Sequence, residues 1–417
     1  MSKATSIAFH TLGCKLNFSE TSALASQLTK EGYEQRDFEE KADIYVINTC
    51  SVTDNADKEC RQLVRRVQRK SPESLVVVTG CYAQLKPKEI ASIPGVDLVL
   101  GASAKFDLSS HLQTLKKGDE TKICSCDIEE VSGFNASWSA EHRTRTFLKV
   151  QDGCDYNCSF CTIPLARGKS RSDSIKNVLE NVKEIAKAGS KEIIFTGVNL
   201  GDFGENGEDF YQLIQAVDAL QLNIRYRISS IEPNLLTDEI IKFVAQSKQF
   251  MPHFHIPLQS GSDKILGRMR RRYKSDLYRK RISLIKEFIP DACIGVDVIV
   301  GFPGETEDEF METYSFLASL PVSYFHVFTY SERENTLAVD MENEVLVPIR
   351  HARNKKLRAL SYEKQMKFEE EQRGKLRPIL FEKQEKGDMM EGYSDNYIRI
   401  TTPYRNEWVN QVIEWRI

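Results

Sequence analysis

FLKVQDGCDYNCSFCTIPLARG, residues 147–168, decides the fold. Its opening FLKVQ is a short, largely apolar run that reads as a strand, and Cys154, Cys158 and Cys161 follow it at C-x3-C-x2-C spacing. Thiols clustered just past a strand end suggest ligands rather than packing. A structural zinc site closes with four ligands, and no fourth Cys or His stands close by in sequence. Three thiolates on a [4Fe–4S] cubane leave one iron open. An open iron can chelate the amino and carboxylate groups of S-adenosylmethionine, and an electron from the cluster then yields a 5′-deoxyadenosyl radical. Cys154, Cys158 and Cys161 are therefore the expected cluster ligands and catalytic residues.

Toward the C-terminus, strand-like runs recur at 146–151, 192–197, 223–230, 252–259, 293–301 and 323–330, with helical periodicity between them. Six β/α units predict an α/β fold with a partial (β/α)6 barrel over 144–372, and active residues at the strand ends. The strand-end segments TGVN (196–199), SSIEP (229–233), PLQSGS (257–262) and DVIVGFPGET (297–306) fit that expectation. Phe160, Gly197, Asn199, Ser229, Glu232, Gln259 and Asp297 are the expected S-adenosylmethionine contacts.

Toward the N-terminus, residues 1–120 also alternate strand and helix, which predicts a separate parallel α/β sheet. Cys14, Cys50 and Cys81 each follow a predicted strand, in FHTLGC, YVINTC and VVVTGC. The carboxyl ends of parallel strands converge on one crevice, so these three are expected to hold a second, auxiliary [4Fe–4S] cluster. Cys60 and Cys293 read as core, and Cys124 and Cys126 receive no role. Residues 121–143 are polar and aperiodic and read as a linker; residues 373–417 read as a small antiparallel β-domain.

The chain has 417 residues, 10 cysteines and a formal net charge of −3. Two or three cores fit that length. No run of about 18 apolar residues suggests a membrane span, and no secretory leader is evident. The expected setting is cytoplasmic, where thiols stay reduced and serve as ligands.

TLGCKLN (11–17), VINTCSVT (46–53), VTGCYAQ (78–84), KVQDGCDYNCSFCTIPLARGKSRS (149–172), HIPLQSGS (255–262) and VIVGFPGET (298–306) together resemble the methylthiotransferase family of radical S-adenosylmethionine enzymes, over nearly the whole chain. The resemblance implies an auxiliary-cluster domain, a radical barrel and a terminal TRAM domain, a small β-barrel that grips RNA. It implies two [4Fe–4S] clusters and two S-adenosylmethionine molecules per turnover, one giving a methyl group and one a radical. Within the family the wording is most similar to the tRNA branch that converts N6-threonylcarbamoyladenosine at position 37 to its 2-methylthio form. The alternatives are isopentenyladenosine tRNA and a ribosomal-protein side chain. Expected partners are the tRNA anticodon loop and an electron donor such as flavodoxin or ferredoxin, acting on a monomer with no membrane contact.

Basic runs supply the candidates for RNA. RMRRRYKSDLYRKR (268–281) and residues 350–358 stand out against a nearly neutral chain, and phosphates favour such patches. Arg270, Arg271 and Arg272 are the expected phosphate contacts, Tyr393, Tyr397 and Tyr404 the expected base-stacking residues. Arg167 and Arg171 are candidates for a carboxylate of substrate or cofactor.

Overall fold

A computed structural model describes residues 4–50, 54–139, 144–205, 207–383 and 387–417. Residues 51–53 of the second cysteine motif and 140–143 of the expected linker lie outside the described residues. Two compact units emerge: residues 1–141, 147–156 and 161–172 form the first, and 142–146, 157–160 and 173–417 the second.

The first unit is built on a six-stranded sheet. Its strands run, edge to edge, Glu34–Arg36, Ser6–Thr11, Ile44–Thr49, Leu75–Gly80, Leu98–Leu100 and Lys122–Cys124. Every neighbouring pair is parallel. Side chains alternate between two cores, as the period of a strand demands. Tyr45, Ile47, Val76, Val78 and Val99 pack on one face with Cys60, Val64 and Val67 of the helix Asp54–Lys70. Ile44, Val46, Val77, Leu98 and Leu100 pack on the other with Leu24 and Leu28 of the helix Lys15–Lys30. The chain order reverses between Ser6–Thr11 and Ile44–Thr49, which makes their carboxyl ends a topological switch point.

Three local differences from the sequence reading have simple causes. Helical periodicity in sequence runs from Glu20 to Lys30, whereas the first helix begins at Lys15, where Asn17 and Glu20 are polar yet buried. Glu34–Arg36 is a polar edge strand with no apolar alternation to betray it. The stretch read as a linker carries the strand Lys122–Cys124, which adds to the sheet edge, and the strand Ser137–Trp138, which pairs antiparallel with Leu148 and Lys149.

In the second unit, Glu192–Thr196 pairs in parallel with Arg225–Ile228, and His253–His255, Cys293–Val300 and Tyr324–Thr329 form a parallel triplet in that order. Isolated parallel bridges, Tyr226 to Phe250 and Ser230 to His255, join the two sets. Helices Ile175–Lys187, Phe210–Asp218, Asp238–Gln246, Ser275–Phe288 and Glu307–Ser319 alternate with these strands as expected. Capping boxes start two of them, at Asp209 and at Thr306. After the helix Val347–Gln372, the strands Leu376–Phe381, Met389–Ser394, Arg399–Pro403 and Val412–Arg416 make an antiparallel sheet. Arg227 ties that sheet to the parallel strands: its guanidinium bonds Glu192 at 2.9 Å and donates to the carbonyls of Ser394 and Asp395. Among the described residues no helix is long and apolar enough to cross a membrane.

Candidate active site

Cys14 caps the N-terminus of the helix Lys15–Lys30, Cys50 directly follows Ile44–Thr49, and Cys81 directly follows Leu75–Gly80. Two glycines let these turns approach one another. Gly13 has φ +97, and a Cβ there would lie 2.5 Å from the Cys50 Cβ; Gly80 has φ +98, and a Cβ there would lie 2.3 Å from the Thr49 carbonyl oxygen. Neither position tolerates a side chain. Asn17 fastens the same corner by donating to the carbonyls of Leu12 and Thr49. Each of the three cysteines thus stands just past the carboxyl end of one of three adjacent parallel strands.

A buried charge cage stands behind them. Glu20, fully buried, accepts from Lys105 at 2.6 Å, Lys149 at 3.1 Å and Arg167 at 3.2 Å. Asp152 accepts from Arg167 at 2.8 Å and Lys149 at 3.3 Å. Burial alone would raise the Glu20 carboxyl, but Arg167, Lys105 and Lys149 outweigh it and hold Glu20 well below the usual carboxylate range. Burial pushes the Cys81 thiol up, and Arg167 is the largest influence opposing it. Cys81, Lys105, Asp152, Arg167 and Arg171 line one small pocket of about 20 Å³.

These residues suit an iron–sulfur cluster. Arg171 also pairs with Asp152 at 3.7 Å, so four cations face two carboxylates; a [4Fe–4S]2+ core with three thiolates carries one negative charge, which suits that positive surplus. Sequence reading missed Glu20, Lys105, Lys149 and Asp152. One signal was present: Lys149 interrupts an otherwise apolar strand, and a charge is buried there only if it is paired. Arg167, read as a carboxylate contact, spends its donors on Glu20, Asp152 and Asn17. Arg171 staples the following turn through the carbonyls of Arg167 and Lys169.

Of the other triad, Cys154 and Cys161 belong to the first unit and Cys158 to the second. In the first unit, the Tyr156 N–H donates to the Cys154 sulfur and the Ile163 N–H to the Cys161 sulfur, each at 3.4 Å. Gly153, at φ +73, passes so close to Lys169 that a Cβ would lie 1.9 Å from its carbonyl oxygen. In the second unit, Arg271 donates to the Cys158 sulfur at 3.1 Å and to the Glu232 carboxylate. Burial pushes the Cys158 thiol up, with Arg271 opposing. Donors aimed at sulfur favour thiolates, the form that binds iron. Ser159 locks its turn by donating from N to the Met269 carbonyl and from Oγ to the Arg268 carbonyl.

The remaining expected residues sit on the strand ends of the second unit. Ser229 is buried, and its Oγ has no hydrogen-bond partner among the described residues. That orphaned hydroxyl fits a polar ligand. Burial raises the Glu232 carboxyl despite Arg271. Asn199 is buried and accepts from the Glu232 N–H at 3.5 Å, beside half-buried Gly197. Gln259 holds φ +67, a strained conformation for a residue other than glycine. Phe160 packs edge-on against Phe302. Asp297 lies 2.9 Å from the His255 imidazole.

The expected RNA residues divide. Arg270 and Arg272 are exposed, whereas Arg271 is drawn inward to Cys158 and Glu232. Arg350 and Arg353, from the second basic run, are buried: Arg350 bonds the carbonyls of Val345 and Tyr330, and Arg353 pairs with Glu305. Tyr397 stacks on His253 with centroids 4.2 Å apart, and Arg145 lies over the Tyr393 ring at 4.2 Å. Both rings thus have protein partners, while Tyr404 is exposed.

Comparison with known proteins agrees with this geometry. Residues 6–101 match Uncharacterized protein family UPF0004, and residues 148–317 match the Radical SAM superfamily. Among curated proteins, the chain is 39% identical to threonylcarbamoyladenosine tRNA methylthiotransferase MtaB of Bacillus subtilis, over 99% of this chain and 93% of that protein. It is 39% identical to the protein so named in Aquifex aeolicus, over 90% of this chain and 93% of that one. A tRNA-2-methylthio-N(6)-dimethylallyladenosine synthase of Clostridium botulinum is 30% identical, over 91% and 86%. Among solved structures, the radical S-adenosylmethionine methyltransferase TsrM of Kitasatospora setae, with cobalamin and a [4Fe-4S] cluster bound, superposes with a TM-score of 0.59 at 13% identity, covering 81% of this chain and 77% of that one. That likeness is one of fold alone.

Proposed function

We propose, from the premise that this chain belongs to the radical S-adenosylmethionine methylthiotransferase family, that it converts N6-threonylcarbamoyladenosine at position 37 of tRNA to the 2-methylthio form. The relatives named for that substrate support the reading with higher identity than those named for dimethylallyladenosine. The observation that carries it is the placement of Cys14, Cys50 and Cys81 after three adjacent parallel strands, with Cys81 lining the same pocket as Arg167 of the Glu20 cage. Radical generation alone needs one triad; a second open-sited cluster suits sulfur transfer.

When bound, a cluster on Cys154, Cys158 and Cys161 supplies the electron that cleaves S-adenosylmethionine, and a second on Cys14, Cys50 and Cys81 supplies sulfur. The residues of the chain do the rest. Arg271 donates to the Cys158 sulfur and orients Glu232. Ser229, Glu232, Asn199, Gly197, Gln259 and Phe160 are the surfaces on which S-adenosylmethionine is held. Exposed Arg270 and Arg272 meet phosphate, and the terminal antiparallel sheet acts as a TRAM-type RNA grip. An anticodon loop is the fitting target, since a base there can be splayed into a pocket. A small electron-transfer protein such as flavodoxin or ferredoxin reduces the clusters, and the enzyme works as a cytoplasmic monomer.

Mass spectrometry of tRNA nucleosides from a deletion strain tests this reading. The 2-methylthio form of N6-threonylcarbamoyladenosine should vanish and return on complementation. Loss of the methylthio form of dimethylallyladenosine instead would assign the other tRNA branch, and an unchanged profile would reject both.

A further inference from the structure

Three adjacent parallel strands of the second unit bring together two imidazoles and a carboxylate. His255 ends the strand His253–His255, Asp297 lies within Cys293–Val300, and His326 lies within Tyr324–Thr329. His255 pairs in register with Gly295, and Asp297 with His326. Residues two apart on a strand share a face, so all three side chains project to the same side. One ligand atom from each lies within 4.8 Å of the others. The His255 Nε2 stands 2.9 Å from the Asp297 Oδ2, and the His255 and His326 rings stack with centroids 5.7 Å apart.

We infer that His255, Asp297 and His326 form a binding site for one divalent metal ion. Two ligands of the same ion, each at about 2.0–2.2 Å from it, lie roughly 3 Å apart. His255 and Asp297 already have that separation, and a small swing of exposed His326 closes the set. A hydrogen-bonded His–Asp pair would need only one imidazole; the second, in register with the carboxylate, completes a two-histidine, one-carboxylate set. Such a set suits divalent iron, manganese or zinc and leaves coordination positions open.

The open positions face outward beside His326 and exposed Phe328. Resting on the proposed function, we assign them to the carboxylate of the threonylcarbamoyl group. A metal-bound carboxylate would separate this substrate from an apolar dimethylallyl one, which offers no ligand atom.

Manganese titration of the cluster-loaded chain under anaerobic conditions tests the site, read by loss of the free Mn2+ electron paramagnetic resonance signal. One ion per chain is expected, and the substitutions His326→Ala and Asp297→Asn should each weaken binding at least about tenfold, with iron content and circular dichroism unchanged. No saturable uptake, or uptake indifferent to both substitutions, overturns the inference. His326 is exposed, so its removal leaves the fold intact. Metal binding that survives while the nucleoside profile names another substrate would sink the carboxylate assignment alone.

Discussion

Glu20 is a fully buried carboxylate held by three cations that are also buried. Breaking a buried ion pair from one side costs about 3–5 kcal/mol, because the remaining charges lose their compensation. Glu20→Gln should therefore lower unfolding stability by that order in urea titration. Its carboxyl is depressed in the folded state, so its contribution is fully present above the unfolded value of about 4.3 and withdrawn as pH falls below it. Wild-type stability should drop steeply on that acid limb, and the variant's should drop less. Arg271 makes a second prediction at this scale. Arg271→Lys keeps the charge but cannot span both Cys158 and Glu232; 5′-deoxyadenosine formation should fall at least about tenfold, while the melting temperature moves little. A variant with full cleavage activity would remove Arg271 from the machinery. Cys60 and Cys293, both buried, have thiols pushed up to about 12. They should stay silent to iodoacetamide in the native chain.

At the scale of elements, the cysteine-bearing turns depend on backbone conformations only glycine adopts freely. Gly153→Ala should cost at least about 1–3 kcal/mol and reduce iron bound per chain on reconstitution, since Cys154 follows directly. Normal iron loading in that variant would show that the close approach to Lys169 is dispensable. The elements were legible in sequence wherever burial imposed a period. Ile44–Thr49 and Leu75–Gly80 are sandwiched on both faces and read as unbroken apolar runs. Glu34–Arg36 lies at a sheet edge, where nothing selects hydrophobic residues. The cysteines were legible because each follows such a run. The destinations of Arg167, Arg271, Arg350 and Arg353 were not: a basic residue looks the same in sequence whether its partner is a phosphate or a buried carboxylate far along the chain. His255, Asp297 and His326 were hidden for the same reason, joined only by strand pairing.

At the scale of the whole molecule, each unit carries its own core. In the second, the terminal sheet is fixed through buried guanidiniums, Arg225 donating to the carbonyls of Pro378 and Tyr393 and Arg227 to those of Ser394 and Asp395. Deleting residues 374–417 would strip those acceptors from two cations. The truncated chain should melt several degrees lower and bind tRNA more weakly, yet still cleave S-adenosylmethionine. Unimpaired tRNA affinity would take RNA recognition away from that sheet.

The charge cage of the first unit ties the protein's lifetime to iron supply. Without a cluster, Lys105, Lys149, Arg167 and Arg171 face only Glu20 and Asp152, leaving a positive surplus among buried side chains. A ligand that binds only the folded state stabilises it by mass action, and the empty chain forgoes that help. Proteases that sample transiently opened states would then clear it faster. Pulse-chase measurement in iron-starved cells should show a shortened half-life.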